Sequence, residues 1–170
     1  SINACGVLQI PVVMSIWDNG YGISVPSEYH TTRNDLSKVL SGFQRSSKKE
    51  NGFELFTVKA WDYEGLLNAY SSAVNYARKD HVPSIIHVKD VTQPQGHTTS
   101  GSHERYKSKE RLQWEKDFCC IKRMRSWIIK NSIADNKELD KIERKALEKA
   151  KLARDISWKA FRKPIEEDLN

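Results

Sequence analysis

The chain has 170 residues, 38% of them hydrophobic and 29% charged, and carries a formal net charge of +6. That is enough for one domain with a proper core and too little for two large ones. No apolar run reaches the roughly 18 residues a membrane-spanning helix needs, and Ser1 to Gly6 lacks the basic stretch and apolar run of a secretory leader. The opening reads as if the chain began inside a helix, so a piece of a longer protein is expected.

The charge is uneven. Residues 1–102 hold nine Lys/Arg and nine Asp/Glu, while residues 103–170 hold nineteen and thirteen. In the basic part the signs alternate every few residues, as in Lys141, Glu143, Arg144, Lys145, Glu148 and Lys149, which is the pattern of a solvated helix face. Nucleic-acid binding is therefore not expected, although a basic tail docking a protein partner stands as the alternative, non-catalytic reading. Cys5, Cys119 and Cys120 form no disulfide framework and no zinc spacing, so free thiols and a cytoplasmic setting are expected.

In chain order, Ile10 to Trp17 is a short apolar run rich in β-branched residues and reads as a strand buried on both faces. Asp35 to Phe43 reads as a short helix, and Gln44 to Asn51 as an exposed polar loop. Phe53 to Ala60 is a second strand, and Pro83 to Val91 a third. Between them, residues 63–79 form a helix capped by Asp62, with Leu66, Leu67, Tyr70, Val74 and Ala77 at helical spacing. Strand, helix and strand in that order predict a parallel α/β sheet.

Residues 92–107 are poor in apolar residues and form a loop after the third strand, at the sheet end where α/β proteins bind ligands. Trp114 and Phe118 anchor the next helix, and Met124, Trp127 and Ile128 the one after. Asp135 to Glu138 spells a capping box for a long last helix. Its stripe is Leu139, Ile142, Ala146, Ala150 and Ala153, and Pro164 is expected to end it. The division expected is an α/β part, 1–107, and a helical extension, 108–170.

Two places carry candidate chemistry, each just after a predicted strand. Asp18-Asn19-Gly20-Tyr21 allows a sharp turn that exposes hard oxygen atoms suited to Mg²⁺, but the same residues also make a plain turn. His97 sits among Thr98, Thr99 and Ser100, where it could donate a proton, bind phosphate or do neither. No G-x-S-x-G, Walker A or G-x-G-x-x-G motif is present.

The run IPVVMSIWDNGYGISVP resembles a segment of the alpha subunit of the decarboxylating component of 2-oxo acid dehydrogenases, branched-chain type. The resemblance continues through VKAWD, PSIIHV, the loop GHTTSGSHERY, Trp114 and RMRSWII, in the same order. It implies a three-layer, thiamine-diphosphate-binding α/β fold, present here in part, followed by C-terminal helices. It implies Mg²⁺ bound by the side-chain oxygen of Asn19 and the main-chain carbonyl of Tyr21, with a further Asp upstream of Ser1. Asn19, Tyr21, Ile23 and His97 would contact the cofactor, and His97 would act in catalysis.

The implied reaction decarboxylates a branched-chain 2-oxo acid, or else pyruvate or acetoin, and passes the acyl group to a lipoyl group. Its partners would be a beta-type subunit or region, which supplies the missing acid, and a lipoyl-bearing acyltransferase. Alone, these residues are expected to be inactive, and self-association or partner burial is expected near Val7, Leu8 and Val12. The family's pattern is not fully kept. Trp17 stands where some relatives carry an arginine, and Thr92-Gln93 where many have Tyr-Arg.

Overall fold

Three parallel strands organise the first part of the chain in a computed structural model that describes residues 2–97 and 102–169. They are β1 (Val13–Trp17), β4 (Glu54–Lys59) and β5 (Ser84–Lys89), in the order β1-β5-β4. Val13 pairs with Ser84 on one side of β5, and Glu54 pairs with the same residue on the other. A small antiparallel pair, β2 (Tyr21–Gly22) with β3 (Val25–Pro26), follows β1. The expected α/β class, with a parallel sheet and C-terminal helices, is what the chain adopts.

The central position of β5 explains its composition. Ser84, Ile85, Ile86 and His87 are all fully buried, and Val88 nearly so. Burying an isoleucine contributes about 1.5–3 kcal/mol, so Ile85 and Ile86 are major anchors of the sheet. Phe53 is 1% exposed at the start of β4.

The first strand departs from expectation. It lies at the edge of the described sheet, with Ser15 exposed and Trp17 70% exposed, and is not buried on both faces. An apolar run does not say whether a strand has one neighbour or two; here the continuous burial belongs to β5.

Helix α3 (Tyr63–Asn75) starts where Asp62 accepts a hydrogen bond from the Gly65 N–H, the cap that residue type favours. It then continues through a wider turn, Tyr76–Asp80, and ends at His81 in the left-handed region. The face it buries is Ala69, Ala73 and Ala77, with Leu66 and Tyr70 packed against Val58, Ile86 and Val88. Leu67, expected on that face, is 52% exposed. Small alanines let the helix lie close to the sheet.

Upstream, α1 (Ile2–Leu8) carries exposed Val7 and Leu8, and α2 (Leu36–Leu40) is capped by Asp35, which accepts from the N–H groups of Ser37 and Lys38. After the loop come α4 (Lys109–Asp117), α5 (Cys120–Lys130) and α6 (Asn136–Asp168). Trp114 stacks on Phe118 with centroids 5.2 Å apart, as the spacing suggested. All three cysteines are free thiols.

The chain divides into two compact units, one ending at Met124 and the other beginning at Arg125. In the second unit the Asp135/Glu138 capping box forms in full, and Arg125 pairs with Asp140 and Glu143. Two expectations for α6 fail. Pro164 does not end it, for the helix runs on to Asp168. Proline removes one N–H donor, which weakens a helix without always breaking it where the chain around it stays helical. The expected apolar stripe is also not packed: Leu139 is buried, but Ile142 is 59% exposed, and Ala146, Ala150 and Ala153 are exposed. No described helix is long and apolar enough to cross a membrane.

Candidate functional site

Strand β1 ends at Trp17, and the next three residues form a tight turn at the C-terminal edge of the sheet. Asp18 Oδ1 accepts the Gly20 N–H at 2.8 Å, and Asn19 Oδ1 accepts the Tyr21 N–H at 3.0 Å. Gly20 has φ +78°, a conformation that costs an L side chain energy, and this is why glycine suits the position. The main chain is tied back to the sheet by hydrogen bonds from Asp18 N–H to the Val88 carbonyl and from Val91 N–H to the Asp18 carbonyl.

Asn19 is fixed at both ends of its amide. Its nitrogen donates to Gln93 Oε1 at 2.8 Å, which sets the oxygen toward Tyr21. An amide oxygen has two lone pairs, and the Tyr21 N–H takes one. The second is available to a hard cation. The turn lines a polar cleft together with Lys89, Asp90 and Arg111. Among the described residues, no three His, Cys, Asp or Glu side chains cluster closely enough to hold a metal by themselves. A cation here would take much of its shell from phosphate and water, as Mg²⁺ does. The donor set present fits that group.

Below the turn sits His87, fully buried in the middle of β5. Its Nε2 is 3.0 Å from Asp18 Oδ2 and its Nδ1 is 2.6 Å from Ser37 Oγ. A carboxylate only accepts, so Nε2 carries the proton and donates to Asp18. In the neutral ring, Nδ1 then accepts from the Ser37 hydroxyl, which itself accepts from Thr57 at 2.9 Å. Asp35 Oδ2 takes Lys89 Nζ at 2.8 Å. That lysine holds the Asp35 carboxyl below its ordinary range, against a smaller upward push from burial; the N–H groups of Lys38 and Ser37 add to the lowering.

From the other side comes α4. Arg111 Nη2 donates to the Asn19 carbonyl at 2.9 Å, and Arg111 Nε to Glu115 Oε1 at 2.9 Å. Lys107 Nζ reaches both oxygens of Glu115, at 2.8 and 2.9 Å, with both side chains almost wholly buried. Tyr21 lies under both cations, its ring centroid 5.2 Å from Lys107 Nζ and 5.4 Å from Arg111 Cζ.

The residues singled out from sequence are distributed unevenly. Asn19 and Tyr21 share the turn, while Ile23 is 62% exposed with φ 60° and does not line the cleft. His97 is exposed and is not among the residues lining the cleft beside Asn19. Thr98, Thr99 and Ser100 lie outside the described residues. Sequence reasoning missed His87, Lys107, Arg111 and Glu115. Only the Arg111–Glu115 spacing of four was a readable signal.

The chain is an α/β protein with a polar, hydrogen-bonded turn at the C-terminal edge of its parallel sheet, the place where such sheets bind ligands. Residues 1–165 match the family model described as the dehydrogenase E1 component, and the chain belongs to that family. Among curated proteins it is similar to pyruvate dehydrogenase E1 component subunit alpha of Rickettsia typhi, 28% identical over 157 residues. The subunit of the same name from Rickettsia bellii is also 28% identical over 157 residues. Each alignment covers 92% of this chain and 45% of the relative, so the chain spans about half the length of the curated relatives it matches. These relatives carry the pyruvate name, and the branched-chain type is not specifically supported.

Proposed function

We propose that this chain is part of the alpha subunit, or alpha-like region, of a thiamine-diphosphate-dependent 2-oxo acid dehydrogenase. The observation that carries the reading is the Asn19 turn, whose amide is held at both ends in a residue that lines a polar cleft. The family match over residues 1–165 supports it. In this reading residues 1–107 form the diphosphate-binding part, and the helical extension 108–170 lends Arg111 to it.

Thiamine diphosphate, when bound, supplies the electron sink for decarboxylation. The chain's own residues place the cofactor. Asn19 Oδ1 and the Tyr21 carbonyl hold Mg²⁺ against the diphosphate. Ile23 adds apolar contact to the cofactor, and His97 handles a proton or stabilises developing charge near the reacting atoms. The acyl product passes to a lipoyl group on a partner acyltransferase, and a beta-type subunit or region completes the site.

For the substrate, the names of the Rickettsia relatives favour pyruvate, while the resemblance of the WDNGYGIS run favours a branched-chain 2-oxo acid. Comparing kcat/KM for the two acids decides between them. The reading itself is tested by calorimetry of Mg²⁺ and thiamine diphosphate with the full-length protein and its partner. Saturable binding that is lost in Asn19→Ala supports it; no binding by the unaltered protein overturns it.

A further inference from the structure

The buried pair formed by Glu115 on α4 and Lys107 just before it has no part in the roles proposed above, yet through Arg111 it is linked to the Asn19 turn. Glu115 has 4% of its side chain exposed and Lys107 1%. Burying ionised groups is costly unless each is paired with good geometry, and the loss of one partner leaves the others uncompensated. Here a single carboxylate holds two cations. Lys107 takes both oxygens, and Arg111 takes Oε1 through Nε, leaving its far nitrogen, Nη2, to reach Asn19.

A guanidinium is a rigid planar fork, so fixing Nε on Glu115 also fixes where Nη2 points. It points at the main-chain carbonyl of Asn19, 2.9 Å away, in the residue whose side chain faces the cleft. Trp114 supports the underside of the fork, 4.5 Å from Arg111 Cζ. The other ties of the turn fall on its flanks: Asp18 is held by Val88, Val91 and His87, and the Gly20 carbonyl accepts from the Ser27 N–H, whereas the Asn19 carbonyl is met by Arg111. Gly20 brings no side chain, and its nearest would-be neighbour is again Arg111 Nη2, at 4.0 Å.

We propose that Glu115 is a positioning residue for the Asn19 turn, acting through Arg111 to hold the metal-facing oxygen in place before cofactor arrives. The inference rests on the function proposed above and deepens it. Groups that orient metal ligands without touching the metal typically change affinity by about 10–100-fold when removed.

The test uses the full-length protein with its partner subunit, three single variants and the double variant of Arg111→Met with Glu115→Gln. Glu115→Gln removes the charge but leaves Lys107 and Arg111 both uncompensated, and it threatens the fold. Arg111→Met is the safer probe, because the Lys107–Glu115 pair survives and the methionine still packs on Trp114. Asn19→Ala reports on the proposed function itself.

Arg111→Met and Glu115→Gln are each expected to weaken Mg²⁺ binding, measured with thiamine diphosphate present, by about tenfold. The double variant should weaken it by no more than either alone; multiplying losses in the double variant overturn the inference. The apparent KM for Mg²⁺ should rise with kcat at saturating Mg²⁺ unchanged. In cofactor-free protein, hydrogen exchange should quicken at the Gly20 and Tyr21 amides and not across β5. Unchanged Mg²⁺ affinity in Arg111→Met, with binding lost in Asn19→Ala, overturns the inference and leaves the function standing. Faster exchange throughout the sheet, with kcat falling as KM rises, marks a merely structural role and also overturns it. Unchanged binding in Asn19→Ala overturns the function, and the inference with it.

Discussion

His87 Nε2 donates to Asp18 Oδ2 across 3.0 Å, joining the centre of the sheet to the turn that follows its edge strand. The histidine has no exposed surface, and its other nitrogen is engaged by Ser37. Replacement by leucine keeps much of the volume but leaves the Asp18 oxygen and the Ser37 hydroxyl without their partner. His87→Leu should cost about 1–3 kcal/mol, the loss of two part-buried hydrogen bonds. Urea denaturation measures it; a cost under about 0.5 kcal/mol, the size of an ordinary surface change, would refute the described geometry.

Gly20 has φ +78°, and a Cβ there would meet only Arg111 Nη2, at an ordinary contact distance of 4.0 Å. Gly20→Ala therefore meets a conformational penalty and no collision, of about 1–2 kcal/mol. Thermal melting should report that loss, and Gly20→Asn should recover part of it, since asparagine tolerates the left-handed region. Equal losses in both variants would contradict this.

Lys89 and the α2 N–H groups hold the Asp35 carboxyl below its ordinary range. A depressed carboxylate contributes stability that is fully present above the unfolded-state value, near 3.9, and is lost as pH falls through the lower folded value. The protein should thus lose stability on acidification through and below that region. Asp35→Asn, which still caps α2 but loses the ion pair with Lys89, should lower stability at neutral pH and little in acid, so that this limb of the stability–pH curve flattens. An unaltered acid limb would show that the Lys89 pair contributes nothing.

Asn19→Ala and His97→Ala should fail differently in the assembled enzyme. The first should raise the Mg²⁺ and cofactor requirement, whereas the second should lower turnover or acyl transfer with retention nearly intact. Steady-state kinetics over a Mg²⁺ series separates them. Identical behaviour would dissolve the proposed division of roles.

At the second unit, Asp135 and Glu138 exchange both hydrogen bonds of a capping box. Asp135→Ala should cost about 1 kcal/mol of helix stability. Far-UV circular dichroism during melting would detect it, and an unchanged transition would mean the cap is not used.

The three strands were legible because each is a short β-rich run between polar breaks, and Asp62 and Asp135 announced their helices by side-chain chemistry alone. What could not be read was neighbourhood. The Ile10 to Trp17 run looks doubly buried, but burial depends on which strand pairs with which, and β5 took the middle. The stripe from Ile142 to Ala153 is a true periodicity without a described cover. At the site the turn residues were visible as a turn, since local geometry needs asparagine and glycine there. Their supports were not visible, because His87 and Arg111 reach them from 69 and 92 positions away. The pyrrolidine of Pro164 argued for an end that the surrounding helix did not respect.

The parallel register of β1 on β5 also fixes an order of events. Val13 meets Ser84, Trp17 meets Val88, and the turn beyond Trp17 is tied to Val88 and Val91. A loop of that length must close before any of those bonds is rewarded, and such distant pairings slow the search for the native state. The Asn19 turn therefore stays unformed until β5 has docked beside β1. The Asn19 amide is thus set in place only as the centre of the sheet closes.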